Sequence, residues 1–134
     1  TVEGTPVPKA RARVAEGHAY TPAKTRAAEE AIAWAAKAAG AEPMDGPVSL
    51  VLGFRFPPPK SWTKAKRAAA MKEGRSQPPH ISRPDLDNLV KLVLDALNNG
   101  IAWKDDSQVV SISARKRYAP LGCEGSTRID AEEE

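Results

Sequence analysis

Cysteine occurs once in the 134 residues, as Cys123, and histidine twice, as His18 and His80. A lone cysteine cannot close an internal disulfide, and with no Cys or His cluster beside it no structural zinc site is expected. Neither histidine has a nucleophile in a turn motif beside it, which sets aside Ser-His-Asp and Cys-His catalysis. No apolar run approaches the roughly 18 residues that a membrane-spanning helix requires, and no charged-then-apolar stretch opens the sequence, so secretion is not expected and a reducing cytoplasm fits. Internal repeats and long low-complexity segments are missing too. What is present is 41% hydrophobic and 28% charged, the profile of one globular domain with a single core.

The formal charge of +3, from 20 Lys plus Arg against 17 Asp plus Glu, is unevenly spread. Residues 1–80 carry +6, residues 81–118 carry +1 and residues 119–134 carry −4. Within the basic body, Lys60, Lys64, Lys66, Arg67, Lys72 and Arg75 face only Glu73. Such a cluster is either the footprint of a phosphate-binding surface or the solvated face of a helix.

Residues 1–17 contain Pro6 and Pro8 and then alternate Lys9, Arg11 and Arg13, which reads as an edge strand or arm with a basic face. Thr1 is expected to stand already inside that first strand. Thr21-Pro22 opens an alanine-rich helix that Gly40 stops. Val48, Leu50, Leu52, Phe54 and Phe56 alternate with Ser49, Val51, Gly53 and Arg55, predicting a strand with one buried face that Pro57, Pro58 and Pro59 must end. Ser61 or Thr63 then caps a short basic helix through Met71 and Lys72. Leu86, Leu89, Val90, Val93, Leu94 and Leu97 recur at helical spacing, and Asn98, Asn99 and Gly100 end the pattern. Residues 108–118 alternate as a strand with a basic edge or face, and residues 119–134 read as an extension with a weak strand around Arg128 and Ile129 and a frayed acidic tail. The fold class is therefore α/β (α+β): a single domain over residues 1–118 with a small mixed β-sheet and helices packed on it.

Chemistry concentrates between Arg83 and Asp106. Asp85 and Asp87 stand at a loop-to-helix junction, and Lys91 lies one turn after Asp87 on the face opposite the leucine stripe. Asp105 and Asp106 precede the next strand. A return through residues 101–104 has the reach to bring Asp106 back to the head of the helix. Closely placed carboxylates repel unless a cation neutralises them, and hard oxygen donors select Mg²⁺ or Mn²⁺. Each residue also has a structural use: Asp85 as a helix cap, Asp87 as a partner of the helix dipole, and Asp87 with Lys91 as a solvated ion pair. An EF-hand is excluded, because Val90 occupies the position that requires glycine.

The run RPDLDNLVKLVLDALNNGIAWKDDSQVV at residues 83–110 resembles the core motif of the RusA family of Holliday-junction resolvases. PVPKARAR (6–13), YTPAKTR (20–26) and PPPKSW (57–62) resemble family segments as well, so the likeness covers most of residues 5–118. The resemblance implies a homodimeric α/β endonuclease that uses Mg²⁺, or Mn²⁺ as a substitute, to cut four-way DNA junctions by paired symmetric nicks in recombination and repair. It implies Asp85, Asp87 and Asp106 as catalytic metal ligands, Lys91 as a catalytic electrostatic partner and Arg83 as a phosphate contact, with Asp105 standing behind Asp106. DNA arms would then lie on Lys9, Arg11, Arg13, Lys60, Lys64, Lys66 and Arg67, bound phosphate by phosphate. Trp62 is read either as packed or as a stacking wedge at the crossover, and Trp34 and Trp103 as core or dimer interface. Two rivals stay open: a non-catalytic DNA-binding module, and a nuclease acting on flaps or forks.

Overall fold

The computed structural model describes residues 1–10, 13–15, 18–20, 22–66, 78–120 and 122–134. Six strands are present among them: β1 (Val2–Glu3), β2 (Arg13–Ala15), β3 (His18–Tyr20), β4 (Val48–Phe56), β5 (Val109–Tyr118) and β6 (Ser126–Glu133). Two helices, α1 (Ala23–Ala38) and α2 (Leu86–Leu97), are described from end to end. β1, β6, β4 and β5 form one mixed sheet in that order, while β2 and β3 make a separate hairpin. β4 and β5 run parallel, which requires a crossover, and α2 supplies it.

β4 shows how the alternating sequence becomes a layer. Val48, Leu50, Leu52, Phe54 and Phe56 are buried, and Val51 and Arg55 on the opposite face are exposed. The buried face is covered by both helices: Ile32 of α1 and Leu89, Leu92, Val93, Ala96 and Leu97 of α2 join it in one core. Each such side chain contributes about 1.5–3 kcal/mol relative to exposure, so this single layer of helix on sheet accounts for most of the apolar stabilisation. Helix ends follow their expected signals. Pro22 precedes α1, and Gly40 turns the chain after it at φ 83°. Asn99 (φ 57°) and Gly100 (φ 88°) turn it after α2. Thr63 Oγ1 accepts the Lys66 N–H at 3.1 Å, the capping bond of a helix start at Lys64–Lys66. The rest of the expected basic helix, with Arg67, Lys72 and Arg75, lies outside the described residues.

Four expectations need correction. The C-terminal segment holds the strand expected around Arg128 and Ile129, but it is an inner strand that runs on through the residues expected to fray, paired antiparallel to β4 from Val48↔Glu133 to Arg55↔Ser126 and to β1 on its other side. Thr127, Ile129 and Ala131 turn toward the core layer while Arg128, Asp130 and Glu132 face outward, so the acidic residues occupy the solvent phase of a regular strand. Glu133 is also used structurally, its Oε1 accepting the N–H groups of Asp45 (2.9 Å) and Gly46 (2.6 Å). The second correction concerns the N-terminal arm: among its described residues Val2–Glu3 alone pairs with the four-stranded sheet, Arg13–Ala15 pairs in the hairpin, and Lys9 is turned inward onto two carboxylates. Third, of the two alternatives for Trp34, core or dimer interface, its 71% exposure removes the core one, whereas Trp103 is wholly buried in the core as expected. Fourth, residues 101–104 do not run back along α2. The Ala102 N–H bonds the Leu97 carbonyl at 3.0 Å and Trp103 bridges to Met44, which keeps the start of β5 at the far end of the helix.

Removing residues 126–134 takes out the strand between β1 and β4 and uncovers one whole edge of the central strand. The truncated chain is expected to lose its cooperative unfolding transition, read by circular dichroism in a denaturant titration. A shortened chain that melted as the intact one does would contradict the inner placement of β6.

Candidate active site

The head of α2 is held by the end of β5. Lys116 sits in the inward phase of β5, opposite Phe54 of β4, where an apolar side chain is expected. Its Nζ donates to the Ser82 carbonyl at 2.8 Å and to the Pro84 carbonyl at 2.7 Å, the two residues flanking Arg83 and leading into Asp85. The preceding residues are strapped down as well. The His80 N–H donates to the Lys116 carbonyl and the Tyr118 N–H to the Pro78 carbonyl. The His80 ring stacks on Phe56 at 4.3 Å and stands 4.9 Å from Tyr118. Burial, together with the Lys116 charge, pushes the His80 pKa below its ordinary value, so the ring is packed as a neutral aromatic. Sequence reasoning passed over both residues, although a lysine in the apolar phase of a strand is a signal that a buried acceptor awaits it.

Asp85 occupies the N-cap position in extended conformation (φ −70°, ψ 145°), yet its side chain makes no capping bond. Asp87 lies in the first turn and Lys91 one turn further, and all three side chains are exposed. Neither carboxylate nor the ammonium has an ion-pair or hydrogen-bond partner among the described residues, Asp87 and Lys91 included. The cap and the solvated ion pair are thus both unmade, and three charged groups stand unspent at one helix end. Beside them an open groove of about 520 Å³ runs between Pro8, Lys9, Arg83, Pro84, Asp85 and Asn88.

Asp106 lies elsewhere. Its Oδ1 accepts the indole N–H of buried Trp103 at 2.8 Å, in the 3₁₀ turn Asp106–Gln108 that leads into β5. Asp105 caps that turn, accepting from both the N–H and the hydroxyl of Ser107, and those bonds hold its pKa below the ordinary carboxylate value. β5 then runs ten residues from this end to Tyr118, and the head of α2 is strapped at the Tyr118 end. The twelve residues of α2 separate the two ends by about 18 Å at 1.5 Å per residue. Accordingly, no group of three His, Cys, Asp or Glu side chains among the described residues is placed to hold a metal ion. One chain offers the hard oxygen donors of Asp85 and Asp87 in the right chemistry but leaves the expected trio Asp85, Asp87 and Asp106 incomplete.

The expected DNA contacts are similarly sorted. Lys9 Nζ is spent on Glu29 (2.6 Å) and Asp95 (3.1 Å), tying the N-terminal segment to α1 and α2. Burial works against its charge, but the bonds to these carboxylates prevail and its pKa lies above the ordinary lysine value. Arg83, Lys60, Lys64 and Lys66 are exposed, with Lys66 Nζ 5.2 Å above the Trp62 ring. Trp62 packs edge-on against Tyr118 at 4.6 Å, the packed alternative rather than a free wedge. Arg11 and Arg67 lie outside the described residues, and of Arg13 the strand alone is described.

Unspent carboxylates and a lysine at a helix head, flanked by exposed basic residues on a small mixed-sheet domain, have the chemistry that a nuclease working on the DNA phosphodiester backbone requires. The family described as "Endodeoxyribonuclease RusA" matches residues 3–123, and the chain belongs to that family. It is therefore an endodeoxyribonuclease of the Holliday-junction resolvase kind, a class whose chemistry depends on a divalent metal. The chain is also 37% identical over 125 residues to YqaN, an uncharacterized protein of Bacillus subtilis (strain 168), covering 89% of this chain and 86% of that one.

Proposed function

We propose that the protein resolves four-way DNA junctions by paired symmetric nicks, as a Mg²⁺-dependent homodimer that accepts Mn²⁺ as a substitute, in cytoplasmic recombination and repair. The observation carrying this reading is that the side chains of Asp85, Asp87 and Lys91 are exposed at the head of α2 and unpartnered among the described residues. Two carboxylates with no cation beside them return to the fold only the interaction of Asp87 with the helix N-terminus, about 0.3–1 kcal/mol, so we read their charge as meant for a ligand. A bound ion would polarise the scissile phosphate and its attacking water. Asp85 and Asp87 would hold it, Lys91 would offset charge building on the phosphate oxygens, and Arg83 would hold the neighbouring phosphate across the open groove.

Because one chain keeps Asp106 a helix length from Asp85, we read each site as shared, with Asp106 supplied by the second protomer. A junction with two equivalent strands to cut matches two equivalent sites related by a two-fold axis. Exposed Lys60, Lys64 and Lys66 would bind duplex arms through phosphates, with affinity falling steeply in salt.

The test is a synthetic mobile four-way junction beside a matched linear duplex and a flap substrate, each with and without Mg²⁺. Paired nicks confined to the junction in the presence of the metal are expected. Cutting of the flap in preference would shift the substrate class, and absence of any cutting with either metal would overturn the catalytic reading.

A further inference from the structure

Among the described residues no helix covers the outward face of the sheet, and that face is basic at one end. Gly53, in the outward phase of β4, stands opposite Arg115 of β5 and Arg128 of β6, and Arg55, two residues on, stands opposite Arg117. The four arginines line an open hollow of about 320 Å³ with Gly53 on its floor. Arg55, Arg115 and Arg128 are exposed and Arg117 is half-buried. The side chains of Arg55 and Arg115 have no ion-pair or hydrogen-bond partner among the described residues. One carboxylate shares the hollow: Asp130, whose Oδ2 accepts the Arg128 Nε–H at 3.0 Å. That pair is exposed and therefore weak, so an anion can displace it.

Gly53 is a second and independent observation. Glycine inside a strand weakens it, and it serves there for a bulge, a bend or the close approach of another group. β4 runs through Gly53 in unbroken register with both neighbours, its one shift lying at Val48/Ser49, and Gly53 has no positive φ. A Cβ there would meet the Arg128 Cβ at 3.8 Å, an ordinary contact, so packing within the chain does not demand glycine. What remains is a floor kept low between arginines. Two strand spacings put the Cα atoms of Arg115 and Arg128 about 10 Å apart. One DNA strand advances ~3.4 Å per phosphate along the helix axis, so roughly three phosphates span the hollow, and guanidinium forks match their oxygens in pairs.

We propose that this face binds the phosphate backbone of a second arm of the branched substrate while the arm being cut lies in the groove beside Asp85; the inference rests on the function proposed above. The two surfaces belong to opposite sides of the sheet. The groove lies at the head of α2, in the helix layer. Arg115 and Arg117 alternate with Lys116, whose side chain turns the other way to hold Ser82 and Pro84. Duplex DNA is stiff over about 150 bp, so a straight duplex occupies the groove or the face, whereas a junction sends its arms in different directions and occupies both. Two simultaneous contacts strengthen each other as linked sites do, so the face favours branched over linear DNA.

Gel-shift titrations of the full chain in metal-free buffer, on a four-way junction and a matched linear duplex over a range of salt, test this. The variants are Arg55→Gln/Arg115→Gln, Asp130→Asn and, as a control of equal charge, Lys24→Gln/Lys37→Gln at two exposed positions of α1. Arg55 and Arg115 give up no internal contact, so their double variant is expected to melt as the wild type does. Its junction binding is expected to weaken on the order of tenfold, and the slope of log affinity against log salt to fall by about two, with a smaller loss on the duplex. Asp130→Asn is expected to bind the junction more tightly, because Arg128 is released and a repelling charge is gone. The α1 control is expected to bind as the wild type does. Unchanged junction affinity in the arginine variant, or an equal loss in the α1 control, would overturn the surface, and equal losses on junction and duplex would overturn its use by a second arm. Cleavage by the wild type with Mg²⁺ separates the two claims. Junction cutting with binding that ignores the arginines overturns this face alone, and arginine-dependent binding without cutting overturns the functional reading alone.

Discussion

Asp87→Asn is expected to lower junction cleavage by on the order of 10³-fold while leaving junction binding unchanged or tighter. Asp87 is exposed in the first turn of α2 with no partner among the described residues, so the amide replaces no internal contact. The fold loses only the interaction of a carboxylate with the helix N-terminus, about 0.3–1 kcal/mol, which a domain of this size tolerates. Binding changes in the opposite direction. A carboxylate about 4 Å from a phosphate costs about 1 kcal/mol in water and about 4 kcal/mol at a partly shielded surface, and the substitution removes that repulsion. A gel-shift titration and a cleavage time course on the same junction read the two effects separately. Wild-type cleavage by Asp87→Asn with Mg²⁺ would remove Asp87 from the machinery, and loss of both binding and cleavage would assign it to DNA contact instead.

β4 and α2 could be read residue by residue because their apolar periods, two and 3.6, are unbroken and their ends carry prolines or an Asn-Asn-Gly turn. β6 shows in the sequence as a weak strand around Arg128 and Ile129, and composition hides its length and inner position. Its alternation of Thr127, Ile129 and Ala131 with Arg128, Asp130 and Glu132 is regular, but a run of acids near the end of a chain reads as solvated unless the neighbouring strand that pairs with it is known. Lys9 illustrates the same limit: alternation gives it a side of the chain, while the Glu29 and Asp95 that capture it belong to two separate helices. The placement of Asp106 depended on a path rather than a pattern. Residues 101–104 are long enough to return along α2, and chain length bounds reach without choosing direction. The choice was made by Trp103, whose burial beside Met44 holds the linker at the far end of the core.

Mixing two inactive variants, Asp85→Asn and Asp106→Asn, is expected to restore cleavage, because a shared site sorts the two substitutions. In a mixed dimer one site combines Asp85→Asn of one protomer with Asp106→Asn of the other and is doubly impaired. The second site draws an intact Asp106 and an intact Asp85 and is whole. Random exchange makes about half of the dimers mixed, and each has one working site of two, so nicking should recover to roughly a quarter of the wild-type rate. The products carry a further signature: a dimer with one live site nicks a single strand and leaves the junction unresolved, where the wild type makes paired nicks. If instead one chain completed its own site, every site in the mixture would contain one substitution and no activity would return. Subunit exchange can be verified by tagging one variant and recovering the other with it. A mixture that exchanges and stays inactive would overturn the shared site, whereas an Asp106→Asn variant that cuts by itself would place Asp106 outside the site, leaving it as the acceptor of the Trp103 indole.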